Sequence, residues 1–348
     1  MSTITLELTD ASANEPLTNP VPTTATTATT PTTNSSEHSD EECLESHITK
    51  NQNSSKKFSS FIQCYIQQFK FVFQSILPDL KSFKNWQILI LIFYATFNVV
   101  FSLLDFNSII FPYRKRSIFK WINDSNDNVV LWRRILLSLS GISAFTNVLN
   151  VLLVIHGKMS SYFWGILGAI FYGTFAFAYG YAGDAQLFVF FFLPMQFIGI
   201  YIWSKELDKQ STTRVKSLKF SGWMLILFIS CILIFMFFHE IPMFSKLLTS
   251  TYLFEEKFIP HVLDAITNGL SVVAQILCIA RYWEQYIIWT FVNLMLIVMY
   301  SGLLGTNFDI NSLVVWIMLT INSSCGLYTW YHRWKNSRHS STRLTIKT

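Results

Sequence analysis

Charge is scarce in this 348-residue chain: Asp, Glu, Lys and Arg together make up 14% of it, against about 25% in ordinary soluble domains. With 51% hydrophobic and 16% aromatic residues and a mean hydropathy of +0.36, that scarcity argues against a soluble enzyme. Cysteine is sparse too. Cys43, Cys64, Cys231, Cys278 and Cys325 form no CxxC pair and no disulfide framework. Three of them lie inside apolar runs, where cysteine behaves as a small core residue. Catalytic signatures are missing as well. His239-Glu240 is followed by Ile241-Pro242-Met243, so a second zinc-binding His is absent. No nucleophile elbow or P-loop occurs, and no paired intramembrane Asp stands out. The expectation is a protein that is not an enzyme and has no metal or cofactor. The net charge of +5 does not point to nucleic acid, because the basic residues sit in the breaks between apolar runs and in the tail.

What the chain has in abundance is apolar runs of membrane length. A hydrocarbon core about 30 Å thick needs about twenty apolar residues of helix. Such runs fall at 87–106, 134–155, 162–181, 186–204, 219–238, 262–280, 286–304 and 312–331. The fold class expected is therefore an all-α polytopic membrane protein of about eight transmembrane helices. Arg333, Lys335, Arg338, Arg343 and Lys347 place the C-terminal tail in the cytoplasm, with Lys158 and the basic break at 204–218 on the same side. Eight spans then put the N-terminus inside. The loop 107–133 falls outside despite Arg114, Lys115, Arg116 and Lys120, in conflict with the charge rule unless 87–106 does not fully cross. There Asn123-Asp124-Ser125 fits a glycosylation sequon.

Residues 1–57 form a Thr/Ser-rich tail with an acidic stretch from Glu37 to Glu45, a composition that cannot offset its ordering entropy. A basic n-region and apolar h-region of a secretory signal are not present in it. In the segment 58–85, Phe61, Tyr65, Phe69, Phe73 and Ile76 recur at helical spacing. That pattern predicts an amphipathic helix, lying in the interface or packed on the protein itself. An extra helix and loop occupy 86–130. The rest divides into a first three-helix repeat at 131–204, a linker helix region at 205–240, a second three-helix repeat at 241–332 and a basic cytoplasmic tail at 333–348.

The repeat is visible in the sequence. One run ends Gly199-Ile200-Tyr201-Ile202-Trp203 and the last ends Gly326-Leu327-Tyr328-Thr329-Trp330. Upstream, Phe171-Tyr172-Gly173 and Met299-Tyr300-Ser301 keep nearly the same spacing to their Trp. Two triplets joined by a single helix have the same orientation, giving a parallel repeat with a substrate site between the halves.

Several segments of this region resemble the PnuC-type nicotinamide riboside transporters. They are His156-Gly157-Lys158, Ser161 to Gly165, Tyr179 to Leu187, and Phe192 to Gly199. The second triplet is similar through Asp264-Ala265, Ala274-Gln275, Arg281, Glu284, Trp289 and Asn293. The resemblance covers about 131–336. It implies a 3+1+3 helical fold like that of the SWEET sugar carriers, a homotrimer, and facilitated movement of nicotinamide riboside through one central site per protomer. The family's Trp-x-x-Trp frame reads Tyr286-Ile287-Ile288-Trp289 here, and Leu187-Phe188-Val189 stands where an Asn is usual.

Nicotinamide riboside joins a cationic pyridinium and its carboxamide to a ribose. Aromatic faces suit the ring, and neutral donors and acceptors suit the amide and sugar. Trp164, Gln196, Gln275, Tyr286, Trp289, Asn293 and Asn322 supply that set. Competing roles exist for each. Trp164, Tyr286 and Trp289 sit near run ends, where an aromatic belt is usual, and the amides also suit interhelical hydrogen bonding. Gly199 and Gly326 read as close-packing positions, Pro194 as a bend beside Gln196, and Asp264 as a helix cap first, with a charge partner for the pyridinium or a proton-coupling group as its other roles. The function expected is a uniporter in the plasma membrane. A SWEET-like sugar carrier and a non-transporting receptor or scaffold are the alternatives.

Overall fold

A computed structural model describes residues 59–60, 62–104, 131–179, 181–207, 215–249, 258–303, 308 and 310–345. The Thr-rich tail and most of the 107–133 loop, with its sequon, lie outside the described residues. Nine helices are named here: α1 (Ile62–Lys81), α2 (Asn85–Leu104), α3 (Leu131–His156), α4 (Ser161–Tyr179), α5 (Ala182–Leu207), α6 (Phe220–Thr249), α7 (Phe258–Ala280), α8 (Gln285–Tyr300) and α9 (Ile310–Thr345). The only extended pairings among the described residues are isolated bridges.

Six of these helices are long and apolar enough to cross a membrane. The pair α1 and α2, bent by 108° at the break between them, brings the number to seven if its two halves form one span. The run expected at 286–304 is the apolar but shorter α8, whose 16 residues rise only about 24 Å. Several helices are longer than the runs expected, α6 and α9 most of all. Helix α6 continues through Pro242 to Thr249, with Glu240 accommodated on the bundle side: Gln186 Nε2 donates to Glu240 Oε2 at 2.6 Å. Helix α9 carries on through the basic segment to Thr345.

The helices group as two triplets, α3–α5 and α7–α9, with α6 between them in sequence. Contacts between the triplets run from α3 to α9 and from α5 to α7, the first helix of each meeting the third of the other. Helix α7 is the most enclosed span, 78% buried, while α6 is only 11% buried. Met224, Leu225, Phe228, Ile232 and Phe235 cover the outside of α6, the composition of a lipid-facing surface.

The duplication holds residue by residue. Helix α3 ends at Gly157, with φ +71°, and α7 ends at Arg281, with φ +65°. The amide of Lys158 donates to the Leu153 carbonyl and that of Tyr282 to the Leu277 carbonyl, both at 3.0 Å. These are the same left-handed helix stop. Five residues after each stop stands a buried Tyr, Tyr162 and Tyr286. Each ring fills the space left by a glycine, Gly199 against Tyr162 and Gly326 against Tyr286, where any Cβ would overlap the ring.

Helix α1 is amphipathic and packs one face on the bundle, the second of the two expected roles. Ile62, Ile66, Phe69, Phe73 and Leu77 are exposed along one stripe, while Val72 and Asp79 are buried on the bundle. At its end Asp79 accepts a hydrogen bond from Ser160 Oγ at 2.7 Å and pairs with Lys158 Nζ at 3.2 Å. This clasp joins α1 to the α3–α4 turn.

Candidate functional site

Between the triplets lies a cavity of about 190 Å³. At the end of the bundle carrying Lys158, Lys205 and Lys216 it is floored by Tyr162, Cys278, Gln285 and Tyr286. Beneath that floor the two Trp of the repeated frame meet. Tyr162 stands edge-on to Trp203 at 5.4 Å, Tyr286 edge-on to Trp330 at 5.5 Å, and the two indoles lie 6.3 Å apart. The expectation that Gly199 and Gly326 serve packing is met by the ring contacts described above.

Amides and hydroxyls line the walls. Asn147 and Asn150 come from α3, Gln196 from α5, Ser271 and Gln275 from α7, Asn293 from α8 and Ser323 from α9. Two glycines on α4 make room for them: a Cβ at Gly165 would strike the Gln196 carboxamide, and one at Gly168 would strike Asn147. The helix carrying Gln196 is not regular. Leu187–Phe192 forms a π-helical turn, and the Leu193 amide donates to the Phe188 carbonyl five residues back. Pro194, just after this turn, offers no N–H to the preceding turn, and such a π-bulge is a feature common at functional sites. The bulge presents Leu187, Phe188 and Phe192 to the cavity. The Phe192 ring lies 6.2 Å from that of Trp289.

The opposite end of the cavity is acidic. Asp184 lines it and accepts a hydrogen bond from Tyr172 Oη at 2.9 Å. Asp264 is no helix cap, because α7 begins six residues earlier at Phe258. It is a buried mid-helix carboxylate that accepts from Asn268 Nδ2 at 2.9 Å. Paired acids, which the sequence did not bring out, therefore sit inside the spans.

Several polar atoms on this cavity's walls are buried without a protein partner. They are the Oη atoms of Tyr162 and Tyr286, the Oδ1 atoms of Asn150 and Asn268, and Nε2 of Gln285. Each such atom costs about 1–3 kcal/mol when left unpaired. A concave apolar surface with convergent unpaired polar atoms is the usual form of a small-molecule site. No Lys, Arg or His lines it among the described residues.

Of the seven residues singled out in the sequence, Gln196, Gln275, Tyr286, Trp289 and Asn293 line the cavity. Trp164 and Asn322 are placed elsewhere. The Trp164 ring packs on Phe145 and Phe163 at 6.2 and 5.5 Å, and its neighbour Gly165 faces the cavity instead. Asn322 is buried, with Ser323 taking the lining position. Asn147, Asn150, Asn268 and Asp184 were missed. The two α3 amides stand inside an apolar run, the same signal that exposed Gln196.

Residues 137–332 match the family model described as nicotinamide mononucleotide transporter. Two proteins named nicotinamide riboside transporter PnuC are similar in sequence. One, from Haemophilus influenzae, is 27% identical over 198 residues, covering 55% of this chain and 78% of its own. The other, from Neisseria mucosa, is 26% identical over 205 residues, covering 55% of this chain and 71% of its own. The crystal structure of the vitamin B3 transporter PnuC matches with a TM-score of 0.50. The match covers 73% of this chain and 94% of that one at 21% identity, a likeness of fold.

Proposed function

Because the chain belongs to the nicotinamide mononucleotide transporter family, we propose that it is an integral multi-pass carrier that moves nicotinamide riboside down its gradient. The observation that carries this reading is the cavity between the two triplets, with its unpaired polar atoms and the aromatic faces of Tyr286 and Trp289. The ring packs on Trp289, and the carboxamide and ribose hydroxyls engage Gln196, Gln275, Asn293 and the α3 amides. Trp164 and Asn322 support this wall from behind rather than touching the ligand.

A nucleoside fits better than its phosphate. A phosphate in a water-poor site needs a cationic partner, whereas the described walls carry no Lys, Arg or His and one carboxylate, Asp184. Movement follows alternating access between two similar halves. The Tyr162–Trp203 and Tyr286–Trp330 pairs separate at the cytoplasmic end to release the ligand. The protein acts in the plasma membrane, and as a homotrimer with one site per protomer, the assembly that the family resemblance implies. Trapping of the product depends on a separate kinase.

Thermal stabilisation of the purified protein in detergent tests the ligand class. Nicotinamide riboside is expected to raise the melting temperature saturably, and nicotinamide mononucleotide to do so much less. Stabilisation by hexose instead would support a sugar carrier and overturn this reading.

A further inference from the structure

We propose that Asp184 on the cavity wall, with Asp264 buried behind it, recognises positive charge on the ligand's ring, so that the protein selects cationic pyridinium nucleosides over uncharged ones of the same shape. The inference rests on the reading of the chain as a nicotinamide riboside carrier, and adds the element that reads charge.

The two acids come from different triplets. Asp184 follows Gly183 in the first turn of α5, and Asp264 belongs to α7. A Cβ on Gly183 would lie 2.8 Å from Asp264 Oδ2, so the missing side chain is what lets the second carboxylate approach the first. Each acid holds one neutral donor, Tyr172 Oη on Asp184 Oδ2 and Asn268 Nδ2 on Asp264 Oδ1. Neither forms an ion pair among the described residues. The nearest basic side chain along α7, His261, is turned to the Phe238 carbonyl at 2.7 Å. A separate observation points to a ligand: Asn268 is 1% exposed, lines the cavity, and its Oδ1 has no partner. A carboxyl taken out of water either keeps its proton or holds a positive partner, and a pyridinium nucleoside brings a positive charge together with amide and hydroxyl donors for Asn268.

The test uses the full chain in proteoliposomes. Uptake of labelled nicotinamide riboside is competed by unlabelled nicotinamide riboside or by its reduced form, whose dihydropyridine ring is uncharged. The reduced form is expected to compete at least about tenfold less well, and Asp184→Asn and Asp264→Asn are expected to narrow that gap. Equal competition by the two forms in the unaltered protein overturns the inference without requiring any variant to fold. Thermal stabilisation by cationic 1-methylnicotinamide and by neutral nicotinamide separates this inference from the carrier reading. Stabilisation by the cation alone without uptake of nicotinamide riboside supports the charge site and overturns the carrier reading. Uptake without charge discrimination does the reverse, and neither uptake nor stabilisation overturns both.

Discussion

The indole N–H of Trp203 donates to the backbone carbonyl of Ile279 at 3.0 Å, joining the last helix of the first triplet to the first helix of the second. Its counterpart runs the other way, from Trp330 to Ile155 at 3.1 Å. Ile155 and Ile279 each stand two residues before the left-handed stop of their helix, so the repeated frame is a reciprocal cross-tie at one end of the cavity. Trp203→Phe and Trp330→Phe each keep an aromatic body but remove one hydrogen bond and orphan a buried carbonyl. Each is expected to destabilise the purified protein by about 1 kcal/mol, with similar losses for the two by thermal unfolding.

Overpacking the floor of the cavity has a different signature. Gly199→Ala and Gly326→Ala drive a Cβ into the Tyr162 and Tyr286 rings, at a cost of about 1–3 kcal/mol for a well-packed core. Because both rings face the cavity, transport is expected to fall in variants that still elute as folded protein. Normal uptake by both would show that the tyrosines do not shape the path.

Trp289 separates a ligand surface from a membrane belt. Trp289→Ala is expected to raise the half-saturating substrate concentration about three- to thirtyfold, the range of one cation–π contact. Trp289→Phe should recover part of the loss. Unchanged uptake by the Ala variant would return this side chain to the packing around Phe192.

The clasp on α1 is expected to be structural. Asp79→Ala removes the Ser160 hydrogen bond and the Lys158 ion pair together. Hydrogen exchange in α1 should rise while substrate affinity stays within about twofold, since Asp79 does not line the cavity.

Much of this architecture was legible before the structure. Apolar run length located the spans, and the Gly-x-Tyr-x-Trp frame located the duplication. What the sequence could not supply was helix phase. Helix α4 is apolar all round, so nothing in it says that Gly165 rather than Trp164 faces the centre. Neighbouring residues on a helix point about 100° apart, and the same one-step offset separates Asn322 from Ser323. Asp264 was read as a cap because hydropathy rises only at residue 262, whereas the helix starts at Phe258. The acid pair escaped notice for a related reason: Asp184 looks like a turn residue until Gly183 is seen to bring Asp264 beside it.

The most direct test of the central claim is counterflow of labelled nicotinamide riboside into proteoliposomes preloaded with the unlabelled compound and lacking any imposed ion gradient. A carrier with one alternating site between two triplets is expected to give saturable accumulation that depends on the preload and is lost on disrupting the Tyr162 and Tyr286 floor. Absence of saturable uptake, or accumulation only when a proton gradient is imposed, would contradict it.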